Sequence, residues 1–276
     1  MGLRIRTNIA SQMVQRNLKN TSQLEAADLE RLSSGKRITK ASDDAAGLAI
    51  ATRLEATTKG LRQATRNAND GVSLIQTAEG GLSEISNILI RLRELTIQSS
   101  SDTVGDKERS FLDNEYGELS TEIDRISEST IFNGTNLLKG EADILHFHVG
   151  SDGGDSNRIA FDAGDTNATT DNIGLSGSSV TDKDSAMDSI GTVDGAIDQI
   201  SGQRAKLGAI QSRLQSTINN LEVQTINQDN ARSVIQDVDV AQTSASLAST
   251  AVLKNAGIAT LSQANVMPNA ALRLIG

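Results

Sequence analysis

The sequence predicts a mainly α protein: an elongated antiparallel coiled-coil helical bundle with a small central β-hairpin. Three observations carry this. Apolar residues recur in alternating steps of three and four over long stretches, the spacing of a helix seam. Aromatic residues make up only 2% of the 276, with no Trp, so large rings do not anchor the core. Leu, Ile, Val and Ala are enough to fill a narrow seam between rods. A strand-type alternation is confined to the middle of the chain.

The first helix is read over 3–34, carrying Ile5, Ile9, Met13, Leu18, Leu24, Leu29 and Leu32, with Gly35 as its break. Ser42-Asp43-Asp44 then offers side-chain oxygens and negative charge to the free amides of a second helix. That helix holds the longest seam: Ile50, Leu54, Thr57, Leu61, Ala64, Ala68, Gly71, Ile75, Ala78, Leu82, Ile85, Leu89 and Leu92. At about 1.5 Å per residue it spans roughly 63 Å, and the strict heptad implies a left-handed supercoil. Gly71, Gly80 and Gly81 each weaken it by about 1 kcal/mol relative to Ala, yet the pattern runs through them. Thr103 to Asp106 makes a tight connection to a third helix seamed by Leu112, Tyr116, Leu119, Ile123 and Ile126, which folds back antiparallel. Asn133-Gly134 is a turn.

In the middle, Leu145, Phe147 and Val149 alternate with His146 and His148, and Ile159 and Phe161 repeat the alternation after a Gly/Asp/Ser loop: a β-hairpin. Residues 163–186 are polar and weakly patterned, and are expected to form an exposed loop. A third seam follows: Ile190, Val193, Ile197, Ile200, Arg204, Leu207, Gln211, Leu214, Ile218, Leu221 and Thr225. Arg204 and Gln211 read as polar intrusions that set register. The last helix, over 234–265, carries Ile235, Val238, Leu247, Ala251, Ile258 and Leu261, with Lys254 and Asn265 on its seam and Pro268 as its stop. Both terminal helices are marginal alone in water and suited to packing on other subunits. Five segments result: terminal-helix segments at 1–42 and 233–276, bundle halves at 43–140 and 187–232, and the exposed hairpin and loop at 141–186.

Composition narrows the function. With no Cys, disulfides, thiolate zinc sites and cysteine nucleophiles are excluded. The net charge is −9, and residues 141–186 hold nine acids against two bases. Residues 1–40 hold eight bases against three acids, scattered along a helix without interleaved aromatics, which argues against nucleic acid. No apolar run is long enough to span a membrane, and no h-region follows Arg4 and Arg6, so sequence alone reads as cytoplasmic. His-Glu-x-x-His, the Gly-x-Ser-x-Gly elbow and the Walker loop are absent, and His146 and His148 read as a solvated strand face. The expectation is no catalytic residue, no metal and no cofactor.

Several runs then resemble one family. Leu29-Glu30-Arg31-Leu32-Ser33-Ser34-Gly35-Lys36-Arg37-Ile38 is followed by Ala41-Ser42-Asp43-Asp44-Ala45-Ala46-Gly47-Leu48-Ala49. Gln76-Thr77-Ala78-Glu79-Gly80-Gly81-Leu82, Arg91-Leu92-Arg93-Glu94-Leu95, Phe132-Asn133-Gly134, Leu207-Gly208-Ala209 and Gln263-Ala264-Asn265 continue the match. These runs resemble the bacterial flagellins over about 1–140 and 187–276. The resemblance implies a subunit that self-assembles into the filament as a homopolymer. Its two ends would line the inner tube, packing through Ile5, Ile9, Leu18, Leu29, Leu32, Leu247, Ala251, Ile258 and Leu261. The resemblance further implies type III export without a cleaved signal, replacing the cytoplasmic reading with a secreted, extracellular one. It implies an export chaperone on about 234–274, contacts with the filament cap and hook-associated proteins, and a contact surface for the flagellin-sensing Toll-like receptor. The positions matching that surface are Arg91, Leu95 and Glu115, with Ile90 where the family usually has Gln. The hook–filament junction protein is the alternative, because it resembles flagellins at both ends.

Overall fold

The computed structural model describes residues 7–141 and 143–275, the side chains of 268–275 excepted. The helices are α1 (Ile9–Ser34), α2 (Ala45–Ser99), α3 (Asp106–Ser129), α4 (Lys183–Gln236) and α5 (Val240–Ile275). Between α3 and α4 lie two antiparallel hairpins, β1 (Ile131–Phe132) with β2 (Thr135–Asn136), and β3 (Leu145–His148) with β4 (Arg158–Phe161). The chain forms two compact units, Met1–Thr57 with Asn227–Gly276, and Thr58–Ile226. Helices α2 and α4 contribute residues to both.

In the second unit the α2 heptad is the core. Leu61, Ala64, Ala68, Ile75, Ala78, Leu82, Ile85, Leu89 and Leu92 are all buried, as the spacing requires of one stripe facing partner helices. Helix α3 lies antiparallel to α2, contributing buried Tyr116 and Ile123 with Leu112, Leu119 and Ile126 half-buried beside them. Helix α4 is also antiparallel to α2 and adds Val193, Ile200, Leu207, Leu214, Ile218 and Leu221. The seam fades towards the first unit, where Leu54 and Thr57 are half-buried and Ile50 is exposed.

Alternate positions of the expected α4 seam are displaced by one residue over its first turns, while Val193, Ile200 and Leu207 are buried as expected. Ser189, Ala196 and Gln203 take the buried positions, while Ile190, Ile197 and Arg204 flank them. The polar register residue is therefore Gln203, whose Nε2 donates to the Asn167 carbonyl at 2.8 Å.

The hairpin β3–β4 forms in the register Leu145↔Phe161 to His148↔Arg158. Ile159 and Phe161 are buried, and Asn67 Nδ2 ties the hairpin to α2 by donating to the His148 carbonyl at 3.0 Å. Two α2 glycines mark close approaches. A Cβ on Gly71 would lie 3.1 Å from the Phe147 ring, and one on Gly81 2.7 Å from both Leu138 and Thr130. Their cost in helix propensity thus admits a hairpin and a strand end against the helix.

Residues 163–186 are not an exposed loop. Ala163, Thr166, Ala168, Ile173, Leu175 and Val180 are buried, and α4 already begins at Lys183. The strap is held by helix side chains that satisfy its backbone. Asp124 accepts from the Thr170 amide and hydroxyl at 2.9 and 2.7 Å, and Asp113 accepts from the Val180 amide at 2.9 Å. Tyr116 hydrogen-bonds Ser178 at 2.7 Å, and burial pushes its phenol above the usual range. The α2–α3 turn is closed by buried Arg109, which donates to the carbonyls of Ser99 and Ser101 at 3.0 Å each.

Candidate assembly surface

Among the residues proposed for packing, the structure separates inward from outward positions. Helices α1 and α5 run antiparallel in the first unit. Their facing positions follow a heptad: Ser11, Val14, Leu18, Thr21, Glu25 and Asp28 on α1, and Thr243, Leu247, Thr250, Lys254, Gly257, Leu261 and Ala264 on α5. Leu18, Leu32, Leu247, Ala251 and Leu261 are half-buried, whereas Ile9, Leu29 and Ile258 are about half exposed. Ile5 lies outside the described residues. Further apolar side chains point outward: Met13, Leu24, Val252, Leu253 and Val266 are each exposed by more than half.

The seam itself is rich in polar pairs. Lys254 Nζ donates to Glu25 Oε2 at 2.7 Å, Ser246 to Asp28 Oδ2 at 2.8 Å, and Ser11 to Asn265 Oδ1 at 2.8 Å. Glu25 and Lys254 are only 21% and 39% exposed in their side chains, and Asp28 is buried. Polar atoms cost about 1–3 kcal/mol each if left unpaired on burial, so this seam tolerates only the pairing that satisfies them.

Helix α5 does not stop at Pro268; it continues to Ile275. Proline has no N–H, so the carbonyl four residues earlier, on Ala264, lacks its helical partner. Asn8 supplies one, its Nδ2 donating to the Ala264 carbonyl at 2.8 Å while its Oδ1 caps α1 by accepting from the Ser11 amide at 3.0 Å. Nothing in the heptad reading pointed to Asn8; an Asn just before a helix, and a Pro four residues after a seam Ala, are the local signals. Asn8→Asp keeps the cap oxygen and loses the donor. It is expected to cost about 1–3 kcal/mol of local stability at the α1–α5 end, read by hydrogen exchange along α5 in assembled filaments. In a Pro268→Ala background the loss should vanish, because residue 268 then has its own N–H.

The run after α1 is accounted for residue by residue. Gly35 is the left-handed C-cap of α1, with φ 69°. The connector beyond it is clipped to the α4–α5 connector: the Arg37 amide donates to the Gln236 carbonyl at 2.6 Å, and the Val238 amide to the Gly35 carbonyl at 3.0 Å. The Asp43 carboxylate gathers the Lys40 amide, the Thr39 amide and the Thr39 hydroxyl at 3.1 Å each; these bonds, the backbone ones first, hold its pKa below the usual range. Asp44 is the N-terminal cap of α2, accepting from the Gly47 amide at 2.9 Å. A Cβ on Gly47 would strike Asp44 Oδ2 at 2.5 Å and Ile38 Cδ1 at 2.8 Å, so the run Asp43 to Gly47 packs as one knot around buried Ile38.

In the second unit Arg91 bridges two helices. Its guanidinium reaches Glu115 at 2.8 and 3.0 Å and Glu94 at 2.9 Å, and these bonds, Glu115 first, raise its pKa further. All three side chains are well exposed. Leu95, expected beside them, is 0% exposed and belongs to the core. It is one turn beyond Leu92 on the buried stripe, so it supports the patch from beneath and presents nothing to a partner. Among the described residues no helix is long and apolar enough to cross a membrane.

Comparison with known proteins agrees along both halves of the chain. Residues 5–143 match a family model described as the bacterial flagellin N-terminal helical region, and residues 190–275 match one for the bacterial flagellin C-terminal helical region. A flagellin of Halalkalibacterium halodurans is 40% identical over 272 residues, covering 98% of this chain and 99% of the relative. A flagellar filament core protein of Brachyspira hyodysenteriae is 37% identical over 285 residues, covering 98% and 99%. Among solved structures, the flagellin of Bacillus cereus superposes with a TM-score of 0.51 at 30% identity, over 56% of this chain and 88% of that one.

Proposed function

The chain belongs to the bacterial flagellin family, and from that premise we infer that neighbouring subunits cover the outward apolar face of its α1–α5 pair. As a flagellin it is a structural subunit that self-assembles into the extracellular flagellar filament. The relatives carry filament names, and nothing among them favours the hook–filament junction protein.

The observation that carries the inference is the set of exposed apolar side chains, Ile9, Met13, Leu24, Leu29, Val252, Leu253 and Ile258, around two helices whose shared seam is largely polar. A two-helix pair of this kind buries little apolar area of its own, so burial against other subunits supplies most of its stability. The order of α1 and α5 then rises on assembly. The same exposed stretch of α5, within about 234–274, is our choice for the export chaperone, and the filament cap and hook-associated proteins would meet the assembled ends. Arg91 and Glu115, without Leu95, remain the proposed receptor contact. The role assigned is mechanical, with no catalytic step.

Electron microscopy of the purified chain, before and after adding short filament seeds, tests this. Long filaments of constant diameter are expected. Persistent monomers, where a known flagellin polymerises, would overturn the reading.

A further inference from the structure

We propose that Glu25 and Lys254 form a register lock, which makes α1 pair with α5 of the same chain in a single antiparallel alignment. The seam pattern carries this. Glu25 stands midway between Leu18 and Leu32, seven residues from each, and Lys254 midway between Leu247 and Leu261. In the observed alignment the two charges meet at 2.7 Å, and Leu18 lies against Gly257, where a Cβ would sit 3.4 Å from Leu18 Cδ1. Sliding one helix by a heptad keeps every apolar stripe facing inward, so hydrophobic pattern alone does not forbid it. The charges do. A slip in one direction sets Glu25 against Leu247 and Lys254 against Leu18. A slip in the other sets Glu25 against Leu261 and Lys254 against Leu32. The first leaves both half-buried charges on leucines with no counter-ion; the second brings Lys254 within reach of Asp28 but leaves Glu25 on Leu261 with none, a desolvation cost the aligned pair avoids.

The same division of charge selects the partner helix. Among the described residues, Glu25 and Asp28 are the ionisable residues at the facing positions of α1, with Arg31 beside Asp28 at 3.4 Å, and Lys254 is that of α5. Two copies of α1 would leave Glu25 without the lysine that meets it, and two copies of α5 would leave Lys254 without its Glu25 partner. The flanking pairs Ser11–Asn265 and Asp28–Ser246 fit the same alignment.

The inference rests on the assembly reading, for which extension of seeds by the parent chain is the control. The chain has no Cys, so engineered pairs report register cleanly. S11C/N265C marks the observed alignment; S11C/I258C and D28C/L253C mark the two one-heptad slips. In filaments of the parent chain, only S11C/N265C should close, and within one chain. In E25L/K254L, where the seam is more apolar but the lock is gone, the slipped disulfides should rise about tenfold or more, the ratio set by ~1.4 kcal/mol between registers. The charge-swapped E25K/K254E should return to the observed alignment alone. Absence of slipped disulfides in E25L/K254L would overturn the proposal, as would a mainly interchain S11C/N265C bond. Failure of the parent to extend seeds would count against the assembly reading instead.

Discussion

Val252→Asp combined with Leu253→Asp is expected to abolish extension of filament seeds while unfolding of the Thr58–Ile226 unit stays unchanged. The two side chains are 67% and 62% exposed on α5, off the seam defined by Thr250, Lys254 and Gly257. Exposed substitutions of this kind change a subunit's own stability by about 0.5 kcal/mol or less. In the filament the balance differs. Fully burying a Val or Leu side chain contributes about 1.5–3 kcal/mol, so two lost contacts remove about 3–6 kcal/mol per added subunit. A carboxylate buried in their place must also be desolvated. At 1.4 kcal/mol per tenfold, the critical concentration rises by roughly 10²–10⁴. Sedimentation of filaments at graded protein concentrations measures this, with circular dichroism following the melt of the free subunit. Val252→Ala combined with Leu253→Ala, which removes the apolar contact without adding charge, should raise the critical concentration less than the Asp pair and so separate lost apolar contact from added charge. Unimpaired extension by the double variant would show that this face of α5 is not covered by neighbours.

The sequence carried the bundle because its physics is periodic. A stripe that must face partner helices for many turns leaves a heptad that survives interruption, and α2 kept its stripe through Gly71 despite the propensity cost. Periodicity was weaker evidence for phase. On α4 both Val193-Ala196-Ile200-Gln203 and Val193-Ile197-Ile200-Arg204 fit alternating steps. The larger side chains suggested the second, yet the structure buries the first and leaves Ile197 packed at the edge. The strap over 163–180 was illegible for a related reason. It has no period, and what fixes it is hydrogen bonding from Asp113, Asp124 and Gln203, which read as ordinary polar residues on helices. On the α1–α5 pair the apolar residues were legible, but not which side of each helix faces its partner. Ile9, Leu29 and Ile258 turn outward, while Ser11, Asp28 and Thr250 turn in, because this seam is held by paired polar atoms as much as by apolar area.

Arg109→Ala is expected to cost the second unit about 1–3 kcal/mol, the range for leaving a buried hydrogen-bonding group without its partner. Arg109 is 8% exposed, and its Nε and Nη2 each donate at 3.0 Å to a carbonyl, those of Ser99 and Ser101, at the end of α2. The Ser99 carbonyl has no onward helical N–H, since α2 ends there, whereas the Ser101 carbonyl also accepts from the Val104 amide at 3.3 Å. Truncation leaves them facing the space the guanidinium filled, at about 1–3 kcal/mol for each that stays dry, and removes a cation from the negative end of a helix. The Asp106 contact at 3.1 Å adds little, because that carboxylate is 96% exposed. Ser99 is itself buried and donates through Oγ to the Val180 carbonyl at 2.7 Å, so loosening α2's end also frees the strap where it joins α4. Arg109→Lys keeps the charge but has no planar fork to reach two carbonyls at once, and should recover only part of the loss. Urea unfolding of the free subunit measures both variants, with the slope checked for two-state behaviour. A loss below about 1 kcal/mol for Arg109→Ala would mean that water satisfies the two carbonyls as well as the guanidinium does, and that the α2–α3 turn is held by its apolar neighbours alone.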